Sequence, residues 1–102
     1  MDYINNGQLE EKSTYDNDGN INGLHEKWYE DGQLSESSHF CHGLRQGLCQ
    51  EWYDNGHKHI ECKYYNGQRS GLFRMWYPNG QLELECNYTL TPEAILLVAY
   101  PN

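Results

Sequence analysis

The chain lacks any apolar run long enough to cross a membrane. A spanning helix needs about 20 apolar residues, and the longest apolar segment here, Ala94 to Tyr100, has seven. Positive charge is also scarce. Seven Lys and Arg stand against fifteen Asp and Glu, giving a net charge of −8 and a pI of about 4.9. Nucleic-acid binding rests largely on neutralising phosphates with Lys and Arg, and attraction to anionic membranes has the same basis. Both are disfavoured. The N-terminal residues Met1-Asp2-Tyr3-Ile4-Asn5-Asn6 have neither the basic nor the apolar region of a signal peptide. The expected setting is therefore the cytoplasm, where the four cysteines remain thiols. Aliphatic residues are too few for a thick two-layer core, whereas nine Tyr, three Trp and two Phe suit a fold that packs aromatics locally. At 102 residues the chain is one domain.

What the sequence does contain is a repeat. Trp28-Tyr29, Trp52-Tyr53 and Trp76-Tyr77 follow one another at intervals of 24 residues. Each pair leads into an Asx-Gly step: Glu30-Asp31-Gly32, Asp54-Asn55-Gly56 and Pro78-Asn79-Gly80. An earlier copy, Asn5-Asn6-Gly7-Gln8-Leu9, matches Glu30-Asp31-Gly32-Gln33-Leu34. A second landmark lies between the pairs. Gly19-Asn20-Ile21-Asn22-Gly23-Leu24, Gly43-Leu44-Arg45-Gln46-Gly47-Leu48 and Gly67-Gln68-Arg69-Ser70-Gly71-Leu72 align in register. Glycine at such intervals excludes long helices.

Each unit reads as two strands and two turns. Tyr77-Pro78-Asn79-Gly80 suits a type I turn closed by a glycine in the left-handed region, which makes a three-residue hairpin loop. The Gly-x3-Gly phrase joins one hairpin to the next. Strict alternation assigns Leu24, Glu26 and Trp28 to one face, with Leu48/Trp52 and Leu72/Trp76 in the same columns. It adds Leu34, Ser38 and Phe40 to that face, with their counterparts Lys58/Cys62/Tyr64 and Leu82/Cys86/Tyr88. The expected fold is all-β: an antiparallel meander of stacked hairpins, apolar on one face and polar on the other. At about 4.8 Å per strand, four units extend about 40 Å.

The phrase Trp28-Tyr29-Glu30-Asp31-Gly32-Gln33-Leu34 … Phe40 … Gly43 … Gly47-Leu48 and its copies resemble the MORN family, in its variant form. The resemblance covers residues 3 to 88. It departs at His57-Lys58, where Gln-Leu is expected, and in the incomplete first and last units. It implies a twisted stack of hairpins that serves as a binding or scaffolding module without a catalytic domain. Some proteins of this type are labelled antitoxin-like.

Two regions divide the chain: residues 1–88 with about four repeats, and an apolar tail over 89–102. Thr91-Pro92-Glu93 has the composition of a helix start, so a short capping helix is expected over Ala94 to Tyr100. Ile95, Val98 and Tyr100 favour a strand as the alternative. In either form the tail covers the last hairpin of its own chain or of a second copy.

Candidate chemistry is sparse. His57 and His59 share a strand face. With Tyr53 set opposite His57, Glu51 faces His59 and Cys49 faces Glu61, a mixed set that could ligate a divalent ion. The same columns are simply polar in neighbouring repeats, so no metal or cofactor is assigned. Cys41-His42 lacks a second ligand pair. Cys62 and Cys86 lie two strand spacings apart, about 9.5 Å, beyond disulfide reach. Nothing forms a nucleophile–base arrangement, and Gly-x3-Gly is a turn, not a phosphate loop. The sequence therefore reads as a non-catalytic protein-interaction module that self-associates as a homodimer. The residues expected to meet the partner are Trp28, Trp52, Trp76, Phe40, Tyr64, Tyr88, Ile95, Leu96, Leu97 and Val98. A phosphoinositide-binding adaptor, suggested by the family resemblance, is the alternative, with Lys58, Lys63, Arg69 and Arg74 as its basic cluster.

Overall fold

The computed structural model describes residues 2–3, 9–88 and 94–99. The strands are β1 (Asp2–Tyr3), β2 (Leu9–Tyr15), β3 (Ile21–Trp28), β4 (Leu34–Cys41), β5 (Leu44–Arg45), β6 (Gly47–Trp52), β7 (Lys58–Tyr65), β8 (Gln68–Arg69), β9 (Gly71–Trp76), β10 (Leu82–Tyr88) and β11 (Ala94–Ala99). They form one antiparallel sheet in the order β1-β2-β3-β4-β6-β7-β9-β10-β11, with β5 paired to β4 and β8 to β7. Successive strands are neighbours throughout, the meander that the repeat implies. The sheet measures 41 × 34 × 12 Å. Nine strands at about 4.8 Å account for the long dimension, and the short one leaves room for a single layer.

Two turn types alternate along the chain. The hairpin loops are the expected three-residue ones. Tyr53 N–H donates to the His57 carbonyl at 2.8 Å and Gly56 N–H to the Tyr53 carbonyl at 3.0 Å. Gly56 takes φ 90°, open to glycine at little cost. The Asn55 side chain accepts from His57 N–H at 2.9 Å, which explains the Asx residue before each of these glycines. The loop at Asn5-Asn6-Gly7 lies outside the described residues.

The Gly-x3-Gly phrase proves to be tighter than a long connection. His42-Gly43 and Asn66-Gly67 all have positive φ (48°, 88°, 49° and 83°), as a two-residue type I′ turn requires. Each turn sends a two-residue strand, β5 or β8, back along its predecessor before the chain resumes as β6 or β9.

The largest correction concerns the faces. Every hairpin carries a bulge at the same place. Lys27 opposes Glu36 but Trp28 opposes Leu34, leaving Ser35 as the extra residue. His59 and Glu83 are its equivalents, since Glu51 and Trp52 oppose Ile60 and Lys58, and Met75 and Trp76 oppose Leu84 and Leu82. A one-residue insertion exchanges the two faces for everything beyond it. Ser38, Cys62 and Cys86 consequently lie opposite His25, Cys49 and Phe73, not beside the leucine and tryptophan columns.

These residues form the core. His25, Ser38, Cys49, Cys62, Phe73 and Cys86 are all buried. Extending the registers Ser37–Gln50 and Glu61–Arg74 by one residue places Ser38 beside Cys49 and Cys62 beside Phe73. The core is thus a single row across the strands. Ser13, opposite His25, continues its register at one end, and the Leu96 position, opposite Cys86, at the other. Ile60, Tyr64, Met75, Leu84 and Tyr88 pack against the row.

The tail is a strand, not a helix. β11 pairs antiparallel with β10, with Asn87 opposite Ile95 and Glu85 opposite Val98. Without it the backbone groups of β10 would face solvent along a whole edge. That demand outweighs a local helix-start signal, whose residues Thr91, Pro92 and Glu93 lie outside the described residues.

Candidate functional site

The register divides the predicted partner-binding residues between two faces. Trp28, Trp52 and Trp76 alternate with Leu24, Leu48 and Leu72 on β3, β6 and β9, so each tryptophan lies on the leucine face, opposite the core row. The tryptophans are half-buried. Leu24, Leu48 and Leu72 are 41 %, 38 % and 36 % exposed, a column repeated once per unit. Phe40, Tyr64 and Tyr88 are half-buried on the core face instead. The backbone of Ile95, Leu96, Leu97 and Val98 runs in β11. The side chains of these four lie outside the described residues.

Glu61, Lys63, Glu85 and Asn87 lie on the Leu–Trp face, where they oppose Gln50, Leu48, Arg74 and Leu72. The two carboxylates are paired there. Arg74 Nε donates to Glu85 at 2.6 Å, and Lys58 Nζ to Glu61 at 2.7 Å. Gln50 Nε2 adds a third contact, to Glu61 at 3.0 Å. These donors hold the Glu61 carboxyl below its ordinary range, the Lys58 ammonium contributing most. Lys12 opposes Glu26 at the other end of the face. Leu48, Glu61, Lys63, Leu72 and Arg74 line a shallow recess between the third and fourth units.

The core face carries a second ladder, which sequence reading missed. Arg45 and Arg69 leave the short strands β5 and β8 and lie over aromatic rings. The Arg45 guanidinium is 5.0 Å from the Phe40 centroid and 5.6 Å from that of Tyr64. Arg69 lies 4.4 Å from Phe73 and 5.6 Å from Tyr88, and donates to the Tyr88 hydroxyl at 3.0 Å. Arg45 therefore bridges two successive units, whereas Arg69 joins the two aromatic rings of the last one. The signal was present: both are the third residue of a Gly-x3-Gly phrase, where the first unit has Ile21.

The first two units replace these contacts with a polar cluster. Ser13 Oγ and His25 Nδ1 share a hydrogen bond of 2.5 Å, and Ser38 Oγ donates to Glu36 at 3.2 Å. His25 Nε2 lies 3.9 Å from the same Glu36 oxygen. The histidine ring meets Phe40 edge-on at 5.7 Å. Each polar atom is satisfied within the sheet, as burial requires.

The mixed ligand set expected around His57 and His59 is not assembled. Glu51 opposes Ile60 rather than His59, and Cys49 opposes Cys62 rather than Glu61. The His59 ring stacks on Tyr53 at 4.3 Å. His42 is engaged by Asp16, whose Oδ2 lies 2.7 Å from Nδ1, while Cys41 is exposed. Among the described residues no three His, Cys, Asp or Glu side chains converge as ligands.

Successive units are tied by tyrosine. Tyr29 Oη donates to the Trp52 carbonyl at 2.5 Å, and Tyr53 Oη to the Trp76 carbonyl at 2.7 Å. Burial pushes both phenols above their ordinary pKa. The two residues of these Trp-Tyr pairs thus have separate tasks, the ring on the open face and the hydroxyl on the next repeat.

No curated protein matches the chain. A family model described as the MORN repeat variant matches it four times, over residues 2–17, 21–42, 45–66 and 69–89. With most of its length in those four matches, and with their turns, aromatic columns and meander all in place, the chain belongs to the MORN repeat variant family, whose generally non-enzymatic repeats mediate protein or membrane-lipid interactions.

Proposed function

We propose that the chain is a non-catalytic protein-interaction scaffold of the cytoplasm that self-associates as a homodimer through its Leu–Trp face. The observation that supports this most is the exposed column Leu24, Leu48 and Leu72 beside three half-buried tryptophans, on a sheet one layer thick. A sheet face of 41 × 34 Å exceeds the roughly 800 Å² that each partner contributes to a stable interface. Charge favours a second copy. The chain carries −8 overall, yet on this face Lys12/Glu26, Lys58/Glu61 and Arg74/Glu85 oppose or pair with one another. That pairing reduces the repulsion between two acidic chains there. Trp and Tyr are also the residues that dominate interface energies.

The basic cluster proposed for lipid headgroups is largely committed elsewhere. Lys58 and Arg74 are paired with Glu61 and Glu85, and Arg69 lies against Phe73 and Tyr88. This favours a protein partner over an anionic lipid.

Light scattering on the eluting protein at high micromolar concentration tests the reading. The expected mass is that of a dimer, reduced to the monomer by Leu48→Glu together with Leu72→Glu. A monomer for the unsubstituted chain overturns self-association. A dimer indifferent to both substitutions places the contact on another surface.

A further inference from the structure

We propose that Cys49 and Cys62 form a dithiol–disulfide site, a redox-modifiable pair set across two neighbouring strands of the third repeat. The two are direct cross-strand partners on β6 and β7. Residues opposed in an antiparallel pair have Cα atoms about 4.5 or 5.5 Å apart, and both values fall within the roughly 4.4–6.8 Å that a disulfide usually spans. No shift of the backbone register is needed to close the bond.

The pairing is also selective. The corresponding positions hold His25 and Ser38 in one neighbouring unit and Phe73 and Cys86 in the other. Cys86 is separated from Cys62 by Phe73, so two strand spacings, about 9.6 Å, keep it out of reach. Cys41 is exposed near the His42-Gly43 turn, away from the row. Among the four thiols only one bridge is geometrically available.

The surroundings suit thiol chemistry. Arg45 Nη1 lies 3.5 Å from Cys49 Sγ, and its guanidinium spans the Phe40 and Tyr64 rings beside the pair. Buried structural cysteines normally sit in apolar surroundings, and a nearby cation is the feature that distinguishes reactive ones. The two thiols differ as well. The neighbouring thiols act on each other: proximity to Cys49, helped by the charge of Arg69, favours the Cys62 thiolate, and proximity to Cys62 together with burial disfavours that of Cys49. Attack is placed on Cys62, within the field of Arg69, and the resolving step on Cys49. Both residues are only 3 % exposed. Their cover on the core face includes long arginine side chains, and the Arg45 side chain is itself 36 % exposed.

The oxidant is a low-molecular-weight disulfide of the glutathione type. The Cys62 thiolate attacks one of its sulfurs, the reagent's S–S bond breaks, and one thiolate leaves and takes up a proton. Cys49 then loses its proton and attacks Cys62 Sγ, expelling the second thiol. Two electrons pass from the protein to the reagent, one protein S–S bond forms, and two small thiols are released.

The test is incubation of the folded full chain with glutathione disulfide, followed by intact-mass measurement and peptide mapping without reduction. The expected product is lighter by two hydrogens, with Cys49 linked to Cys62, apart from any glutathione carried on Cys41. In Cys49→Ser the resolving thiol is gone, and a stable mixed disulfide on Cys62 is expected. In Cys41→Ser/Cys86→Ser, which leaves the pair alone, the bridge still forms. The proposal is overturned if Cys49 and Cys62 remain thiols while Cys41 reacts, or if either is found linked to Cys86.

Discussion

The Tyr53 hydroxyl reaches from the end of one tryptophan-tyrosine pair to the carbonyl of Trp76 in the next repeat, 2.7 Å away. Tyr29 makes the equivalent bond to Trp52. In a repeat array the stability of the whole is the sum of unit and interface terms, so these bonds are interface terms. Tyr53→Phe keeps the ring and removes only the donor, leaving the Trp76 carbonyl without this partner. The expected loss is about 1 kcal/mol, read from the urea midpoint at unchanged slope. A variant as stable as the original would show that the bond is replaced by solvent at no cost.

That relationship shows how much of the fold was legible in sequence. The 24-residue spacing of the Trp-Tyr pairs fixes the unit, and the Asx-Gly steps fix the hairpin loops, because both rest on residue types that the geometry requires. The faces were not legible. The bulge residues Ser35, His59 and Glu83 share no side-chain chemistry. A bulge asks only for one more residue on one strand, and alternation read straight through it assigns the wrong face to every residue on the far side. The grouping of Leu24, Leu48 and Leu72 with the tryptophans survived because no extra residue lies between the leucine and the tryptophan of β3, β6 or β9. The grouping of those columns with Phe40, Tyr64 and Tyr88 failed because the strands bearing these aromatics follow an extra residue. The type I′ turn was legible and overlooked: Asn66-Gly67 is the dipeptide it favours most. The tail went the other way. Its helix-start residues are a local signal, whereas the open edge of β10 is a property of the assembled sheet.

The arginine ladder predicts that charge alone is not enough at position 45. Arg45 lies against two aromatic rings and 3.8 Å from Glu36. Lysine keeps the charge but loses the planar group that spans Phe40 and Tyr64. Arg45→Lys is expected to cost about 1 kcal/mol, the scale of a partly exposed cation–π contact. Thermal unfolding of the variant measures it. Equal midpoints for the original chain and the Arg45→Lys variant would mean that the rings contribute nothing beyond their own burial.

Glu61 gives the sheet a pH dependence of definite direction. Lys58 and Gln50 both donate to its carboxylate, and its pKa is held below the ordinary value of 4.5. The folded state therefore binds the proton less readily than the unfolded state. The contribution to stability is complete above about pH 4.5, where the unfolded carboxyl is ionised, and is lost as pH falls through the lower folded value. Because the carboxylate also anchors Lys58 beside the Leu–Trp face, protonation removes an ion pair from the surface proposed to self-associate. Unfolding free energies measured from about pH 7 down to about pH 3 should fall more steeply for the original chain than for Glu61→Gln, which cannot titrate there. Identical pH profiles for the two chains would show that the Lys58–Glu61 contact carries no net stabilisation.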